Sequence, residues 1–242
     1  MKNLQQSLKQ VCALLMALSV LIANSVAQGN DFPTAAPEDV GVSSERLQRL
    51  SNTMQRYIDS NMLAGTVSLV SRNGKVIHVE SQGWKNKESN EPMTDDSIFV
   101  IMSMTKPIVS TALMMLYEEG NFLLTDPITD WIPELKGKQV VIEEDGIDYR
   151  MSAHRPITFR HVLSHTAGVD PSREVLTEEE LALLPRKATL EETLINRAPL
   201  PLSFHPGDDW QYGSSTDYVA LLVERISGQS LVDYLQEKIL DP

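Results

Sequence analysis

Three side chains in this sequence have the types and spacing for nucleophilic acyl chemistry. Ser103-Met104-Thr105-Lys106 is the only Ser-x-x-Lys in the chain. Residues three apart on a helix share a face, with about 5–6 Å between their Cβ atoms. A serine hydroxyl is a poor nucleophile until a base takes its proton, and a desolvated lysine beside it can be that base. Ser103 at the first turn of a helix would also sit at the positive end of the helix dipole, which favours developing negative charge. Pro107 is compatible with this, because proline is tolerated in a first helical turn. The same four residues also fit an N-cap serine followed by an exposed lysine.

The second candidate is Tyr212-Gly213-Ser214, which follows the turn-rich Pro206-Gly207-Asp208-Asp209-Trp210. A tyrosine on such a loop can accept or donate a proton when nearby cations lower its pKa. It also fits a buried structural tyrosine. His161 and His165 stand four apart, the spacing of two ligands on one helix face. A zinc protease would need His-Glu-x-x-His, whereas Val162 and Leu163 fill the middle and no third ligand is evident. The pair therefore reads as a structural helix end and not as a metal site. The chain has no Gly-x-Ser-x-Gly nucleophile elbow and no glycine-rich phosphate loop.

Periodicity shows what must position these residues. Leu47, Leu50, Met54, Tyr57 and Ile58 recur at helical spacing within Glu45 to Met62, which predicts an amphipathic helix. Ala64 to Ser71 and Lys75 to Ser81 are β-rich, and the Asn73-Gly74 pair between them suits a type I′ hairpin turn. Ile98 to Met102 leads into Ser103, and a long apolar helix runs on to about Glu119, stopped by Gly120. Beyond that point the sequence reads mainly as helix and loop. A short helix holds Leu163 and ends near Gly168. Thr177 with Glu180, and Thr189 with Glu192, are capping-box pairs that start two more helices. Asp217 to Ile226 predicts an amphipathic helix closed by Gly228, and Ser230 with Asp233 opens a last one. Two antiparallel strands do not make a stable sheet alone, so the sheet reads as unfinished.

The first 27 residues differ from the rest. Lys2 and Lys9 precede an uncharged apolar run from Val11 to Ala23, followed by Ser25-Val26-Ala27. This is the layout of a secretory signal peptide cleaved after Ala27; the run is too short to span a bilayer comfortably, and the competing reading is an uncleaved N-terminal anchor. Residues 28–37, polar with two prolines, read as a linker. The remainder, 38–242, reads as one domain, incomplete at its C-terminal end. The only cysteine, Cys12, lies in the signal segment, so the mature chain has no disulfide or thiol chemistry. Losing two lysines and no acid takes the net charge from −12 to −14. That argues against nucleic acid and anionic membrane surfaces as partners. The expected location is secreted or periplasmic.

Several segments carry a family resemblance. Phe99 to Pro107, FVIMSMTKP, resembles the active-serine motif of class C β-lactamases, D-alanyl-D-alanine carboxypeptidases and β-lactamase-like esterases. Tyr212-Gly213-Ser214 resembles their Tyr-x-Asn or Tyr-x-Ser motif. LLTDPITDWIPEL (Leu123 to Leu135), ITFRHVLSHTAGV (Ile157 to Val169) and PGDDWQYGSSTDYVALLVERISGQS (Pro206 to Ser230) are similar to further family segments, in the same order. The likeness covers about residues 37 to 242. It implies an α+β, β-lactamase/transpeptidase-like fold, with a mixed α/β sheet region and a helical region.

By that resemblance the chain is an exported serine hydrolase working through an acyl-enzyme. Ser103 would attack an ester or amide carbonyl. Lys106 and Tyr212 would share the proton traffic, and Ser214 would hydrogen-bond in the substrate-binding site. Small esters, D-alanyl peptides or β-lactams would be the substrates, with no metal or organic cofactor. Ser214 stands where class C β-lactamases carry asparagine, which leans the reading toward esterase or peptidase relatives. The family's third motif, Lys-Thr-Gly or His-x-Gly on a later strand, is absent. The C-terminal sheet strands are therefore expected to be missing, and with them one of two oxyanion-hole N–H groups, Ser103 N–H being the other. The competing reading is a non-catalytic ligand-sensing or interaction module that keeps the pocket.

Overall fold

A computed structural model describes residues 32–241, so the expected signal peptide (1–27) and the first four residues of the expected linker (28–31) lie outside the described residues. The chain divides between Val100 and Ile101 into two compact units.

The first unit is a helix on a small sheet. Helix α1 (Ser44–Asp59) begins where Ser43 accepts from the Arg46 N–H, one of the donors a helix start leaves open. Its inward face buries Ser51 and Ile58. The Ser51 hydroxyl meets Glu80, and Gln82 Nε2 donates to the Ser51 carbonyl at 3.2 Å. These polar contacts fix α1 to the sheet alongside the apolar ones. Strands β1 (Gly65–Arg72) and β2 (Lys75–Asn86) pair antiparallel, with Arg72 opposite Lys75 and Gly65 opposite Gly83. Asn73 and Gly74 both take positive φ, 53° and 70°, as the type I′ turn requires. The Gly65–Gly83 pair allows the backbones to come close: a Cβ on Gly65 would lie 2.7 Å from the Trp84 nitrogen, and one on Gly83 2.5 Å from the Ala64 oxygen. A two-residue strand, β3 (Glu91–Pro92), completes the order β1-β2-β3.

The second unit carries the large core. A single 3-10 turn, Met102–Met104, leads into helix α2 (Thr105–Glu118), and Gly120 at φ 79° ends it. Val109, Ala112, Leu113 and Leu116 are buried, a face repeating at three- and four-residue intervals. They pack against α6 (Ser215–Ser227), in which every residue from Tyr218 to Val223 is buried. Such all-round burial marks α6 as the central helix of this unit. Phe122, stacked on Phe159 with centroids 3.8 Å apart, and Trp131, edge-on to Phe159, extend the same core.

One sequence expectation fails here. The stretch after Gly120 is not only helix and loop: β4 (Gln139–Glu144) and β5 (Ile147–Ser152) form a hairpin, turned by Asp145 and Gly146 at φ 55° and 77°. Asp-Gly is a hairpin signal in itself. Only Val140 and Val141 of this pair are buried, so the alternation that would have announced strands is nearly silent. The hairpin matters because it anchors later chain. Val141 N–H donates to the Leu202 carbonyl at 2.9 Å, and Leu202 N–H to the Gln139 carbonyl at 2.7 Å.

The remaining helices are short. They are α3 (Phe159–Leu163), α4 (Glu178–Leu181), α5 (Leu190–Arg197) and α7 (Leu231–Leu235), the last running into a π turn at Gln236–Leu240. Both capping boxes form as expected: Thr177 and Glu180 exchange bonds at 3.0 and 3.2 Å, and Thr189 and Glu192 at 3.1 Å each. Glu180 does a second job. Its carboxylate takes a fork from Arg150 of β5, tying α4 to the hairpin. Among the described residues, no helix is long and apolar enough to cross a membrane.

Two outcomes follow for the full chain. Leu113→Ala removes a side chain with no exposed surface, and the cavity should cost about 2–5 kcal/mol in urea unfolding. Hydrogen bonding to Arg150 holds the Glu180 carboxyl at about 2, below its ordinary 4.5. A depressed carboxyl contributes stability above its unfolded pKa and loses it as the pH falls toward the folded one. Wild type should therefore be more stable than Glu180→Gln at pH 7. That advantage should fade between about pH 4.5 and 2; a difference that stays constant across that range would contradict the assignment.

Candidate active site

Met102 holds a left-handed backbone, φ 47°, rare for a residue with a side chain. This sharp turn lifts Ser103 out of the chain path just before α2 starts. Ser103 therefore lies on the 3-10 turn and not within the helix proper, while Lys106 is the second residue of α2. The three-residue spacing still brings them together: Lys106 Nζ donates to Ser103 Oγ at 3.3 Å.

Tyr212 reaches the same oxygen from the other side of the sequence. Its hydroxyl donates to Ser103 Oγ at 2.6 Å, and Lys106 Nζ lies 4.8 Å from the centre of its ring. One serine oxygen thus accepts from a phenol and an ammonium at once. The hydrogen bonds to Ser103 and then Lys106, together with the Lys106 charge, hold the Tyr212 hydroxyl below the ordinary tyrosine range. That is the direction that makes a phenolate base more accessible near neutral pH. Ser103 and Tyr212 are exposed and Lys106 is half-buried, so a substrate carbonyl can approach Ser103 from solvent.

The loop that delivers Tyr212 is held along its length by the segment after α3. Ser203 N–H donates to the Gly168 carbonyl and Gly207 N–H to the Thr166 carbonyl, both at 2.8 Å; Gln211 N–H donates to the His165 carbonyl at 2.9 Å. The β4–β5 hairpin fixes where this loop begins, at Leu202, and α6 fixes where it ends.

His165 is part of this support and not of a metal pair. Helix α3 stops at Leu163, and His165 takes φ 58°, so it shares no helix face with His161. His161 Nδ1 accepts from the Thr158 N–H at 3.1 Å, capping α3. The His165 ring lies 4.8 Å from the Tyr212 ring, and its Nδ1 accepts from the Gly213 N–H at 3.4 Å. Burial, then the Lys106 charge, keeps this imidazole below the ordinary histidine range, with Asp170 acting in the opposite sense. Among the described residues no three His, Cys, Asp or Glu side chains gather as a metal site.

Ser214 is turned to Asp170. Its hydroxyl donates to Asp170 Oδ1 at 2.6 Å and its N–H to Oδ2 at 2.8 Å. Gly213 has to be glycine beside it: a Cβ there would overlap Asp170 Oδ2 and sit 2.7 Å from Asp170 Cγ. Sequence reasoning did not single out Asp170. Its only trace is its place directly after the family-like HTAGV stretch, and a lone aspartate on a loop carries no periodicity to mark it.

This chain has relatives over most of its length. The family model described as Beta-lactamase matches residues 50–242. Esterase EstB of Burkholderia gladioli is 30% identical over 217 residues, 87% of this chain and 52% of its own. Lovastatin esterase of Penicillium rubens is 29% identical over 203 residues, 80% of this chain and 50% of its own. Among solved structures, "EstCE1, a hydrolase with promiscuous acyltransferase activity", superposes with a TM-score of 0.68 at 27% identity, over 81% of this chain and 51% of that one. The α+β, β-lactamase/transpeptidase-like fold expected from the sequence is the fold of this structure. The chain spans about half the length of the curated relatives it matches.

The hydrogen-bond arrangement predicts how Tyr212 titrates. With all tyrosines labelled at Cζ, the Tyr212 resonance should ionise below the ordinary tyrosine range. Ser103→Ala and Lys106→Met should each move it back up, because the hydrogen bond to Ser103 and then the hydrogen bond and charge of Lys106 lower it. A Tyr212 titration indifferent to both changes would contradict the geometry.

Proposed function

We propose, from the premise that the chain belongs to the beta-lactamase family, that it is an exported serine hydrolase acting on small esters through an acyl-enzyme at Ser103. The observation that carries this reading is the single Ser103 oxygen bonded to both Tyr212 and Lys106. In the resting arrangement both neighbours donate to it. Attack therefore requires that one of them has first lost its proton, and the low-lying Tyr212 hydroxyl suits that part.

The steps follow from the positions. The Tyr212 phenolate takes the Ser103 proton as Oγ bonds to the substrate carbonyl carbon. Lys106, still charged, steadies the phenolate and the developing negative charge. When the tetrahedral species collapses, the carbon–oxygen bond to the leaving alcohol breaks and the alcoholate takes the proton back from Tyr212. A water then repeats the sequence on the acyl-enzyme, releasing the acid and restoring Ser103.

Esters rank ahead of D-alanyl peptides and β-lactams for two reasons. Two of the relatives, at 30% and 29% identity, are esterases by name. Ser214 stands where class C β-lactamases have asparagine, and its hydroxyl is spent on Asp170. Export rests on the signal-like first 27 residues, and a secreted or periplasmic location follows from it.

The test is the intact mass of the 28–242 chain after a fluorophosphonate probe, beside Ser103→Ala. One adduct, lost in the alanine variant, is expected. Tyr212→Phe should slow its formation by about 10²–10⁴-fold, the usual worth of a positioned acid–base group. The wild-type labelling rate should rise with pH and level off above the Tyr212 titration, because the deprotonated phenol is the competent form. A folded chain that takes no label would overturn the reading.

A further inference from the structure

Asp170 is a charged side chain that grips the end of the tyrosine loop by two hydrogen bonds, next to Tyr212. It accepts from the Ser214 N–H and the Ser214 hydroxyl, at 2.8 and 2.6 Å, one on each oxygen. Bonds to a carboxylate are among the strong ones, and a bidentate pair fixes direction as well as distance. Its own backbone is fixed in turn: Ser203 Oγ lies 2.9 Å from the Asp170 carbonyl and 3.0 Å from Gln211 Oε1, the residue just before Tyr212. Asp170 thus meets the loop near its start, where the Ser203 hydroxyl can donate to the Asp170 carbonyl, and at its end, at Ser214.

Two further features converge on the same carboxylate. Gly213 leaves room for it where any Cβ would collide. Ser214 also precedes the first residue of α6, and its hydroxyl makes no cap bond to that helix. The side chain suited to capping α6 is given to Asp170, which itself sits at the helix N-terminus where negative charge is favoured. The core helix and the catalytic loop are therefore joined at this one group.

We propose that Asp170 is a positioning residue: it clamps Gly213-Ser214 so that the Tyr212 hydroxyl is held on Ser103 Oγ. Ser214, on this view, serves the clamp. This inference rests on the assignment of Ser103 and Tyr212 to acyl chemistry, and its test reads the position of Tyr212 separately from activity.

The experiment uses the full chain labelled at tyrosine Cζ, with Tyr212 assigned by Tyr212→Phe. In Asp170→Ala, with thermal unfolding showing a folded protein, the Tyr212 resonance should shift and its titration should return toward the ordinary tyrosine range. Asp170→Asn keeps one acceptor and should fall between. Ser214→Ala should act less than Asp170→Ala, and should add nothing when combined with it. Gly213→Ala should disturb Tyr212 strongly in the wild-type background and less in Asp170→Ala, where the clash is relieved, since Asp170 Cβ lies 3.5 Å away. Fluorophosphonate labelling of Ser103 should slow by about 10²-fold in Asp170→Ala, the cost of a misplaced group near 1 Å.

A Tyr212 signal and titration unchanged in a folded Asp170→Ala protein would overturn the clamp, while Ser103 labelling in wild type would leave the hydrolase reading standing. Conversely, a wild type that takes no label but whose Tyr212 responds to Asp170→Ala would sink the hydrolase reading and uphold the clamp. Should Asp170→Ala unfold, the milder Asp170→Asn decides the matter by the same readout: an unchanged Tyr212 signal and titration in that folded variant would overturn the clamp.

Discussion

The hydroxyl of Ser103 has to meet a phenol that the chain delivers 109 residues later. That contact is short, and neither partner is buried enough to be held by packing around itself. Everything that fixes it must act from beneath. Ser103 lies on the 3-10 turn that leads into α2, Lys106 is the second residue of α2, and α6 begins two residues after Gly213. The two helices pack face to face in the core. The exposed Ser103–Tyr212 contact therefore rests on a buried helix pair, and its geometry inherits the stiffness of close-packed side chains.

Packing sets the position of helices, but it does not aim a loop. The loop from Leu202 to Ser214 is aimed by backbone bonds to the His165–Gly168 stretch, by the β4–β5 hairpin at its start and by Asp170 at its end. Left-handed residues recur where this scaffold turns sharply: Met102 before the nucleophile, His165 and Gly168 beneath the tyrosine loop. Conformations of that kind persist in residues with side chains only when the surroundings hold them. Their clustering here fits a site whose atoms are set within tight limits.

Electrostatics completes the arrangement. Lys106 bonds to Ser103, lies over the Tyr212 ring and bears on His165, so one cation touches three groups of the site. The overall chain is acidic, so this positive centre is local and not part of a basic face. A local cation beside an open serine suits a reaction in which negative charge appears on oxygen and then disappears.

Much of this was legible from residues alone. Ser103 and Lys106 announce themselves by spacing, because a helical turn makes three-residue neighbours touch whatever surrounds them. The Asn73-Gly74 turn, the capping boxes at Thr177 and Thr189, and the glycine stops at Gly120 and Gly228 are equally local, each set by backbone chemistry within a few residues. The β4–β5 hairpin escaped because its strands expose nearly all their side chains, leaving only Asp145-Gly146 as a sign. Asp170 and His165 escaped for a deeper reason. Their roles exist only across gaps of 44 and 47 residues, to Ser214 and Tyr212, where no periodicity reaches. The sequence by itself determined which groups are candidates for the chemistry and which helices and turns form locally. Only the tertiary structure decided which oxygen the tyrosine meets and which carboxylate holds it there, because those contacts depend on how the α2–α6 core brings distant loops together.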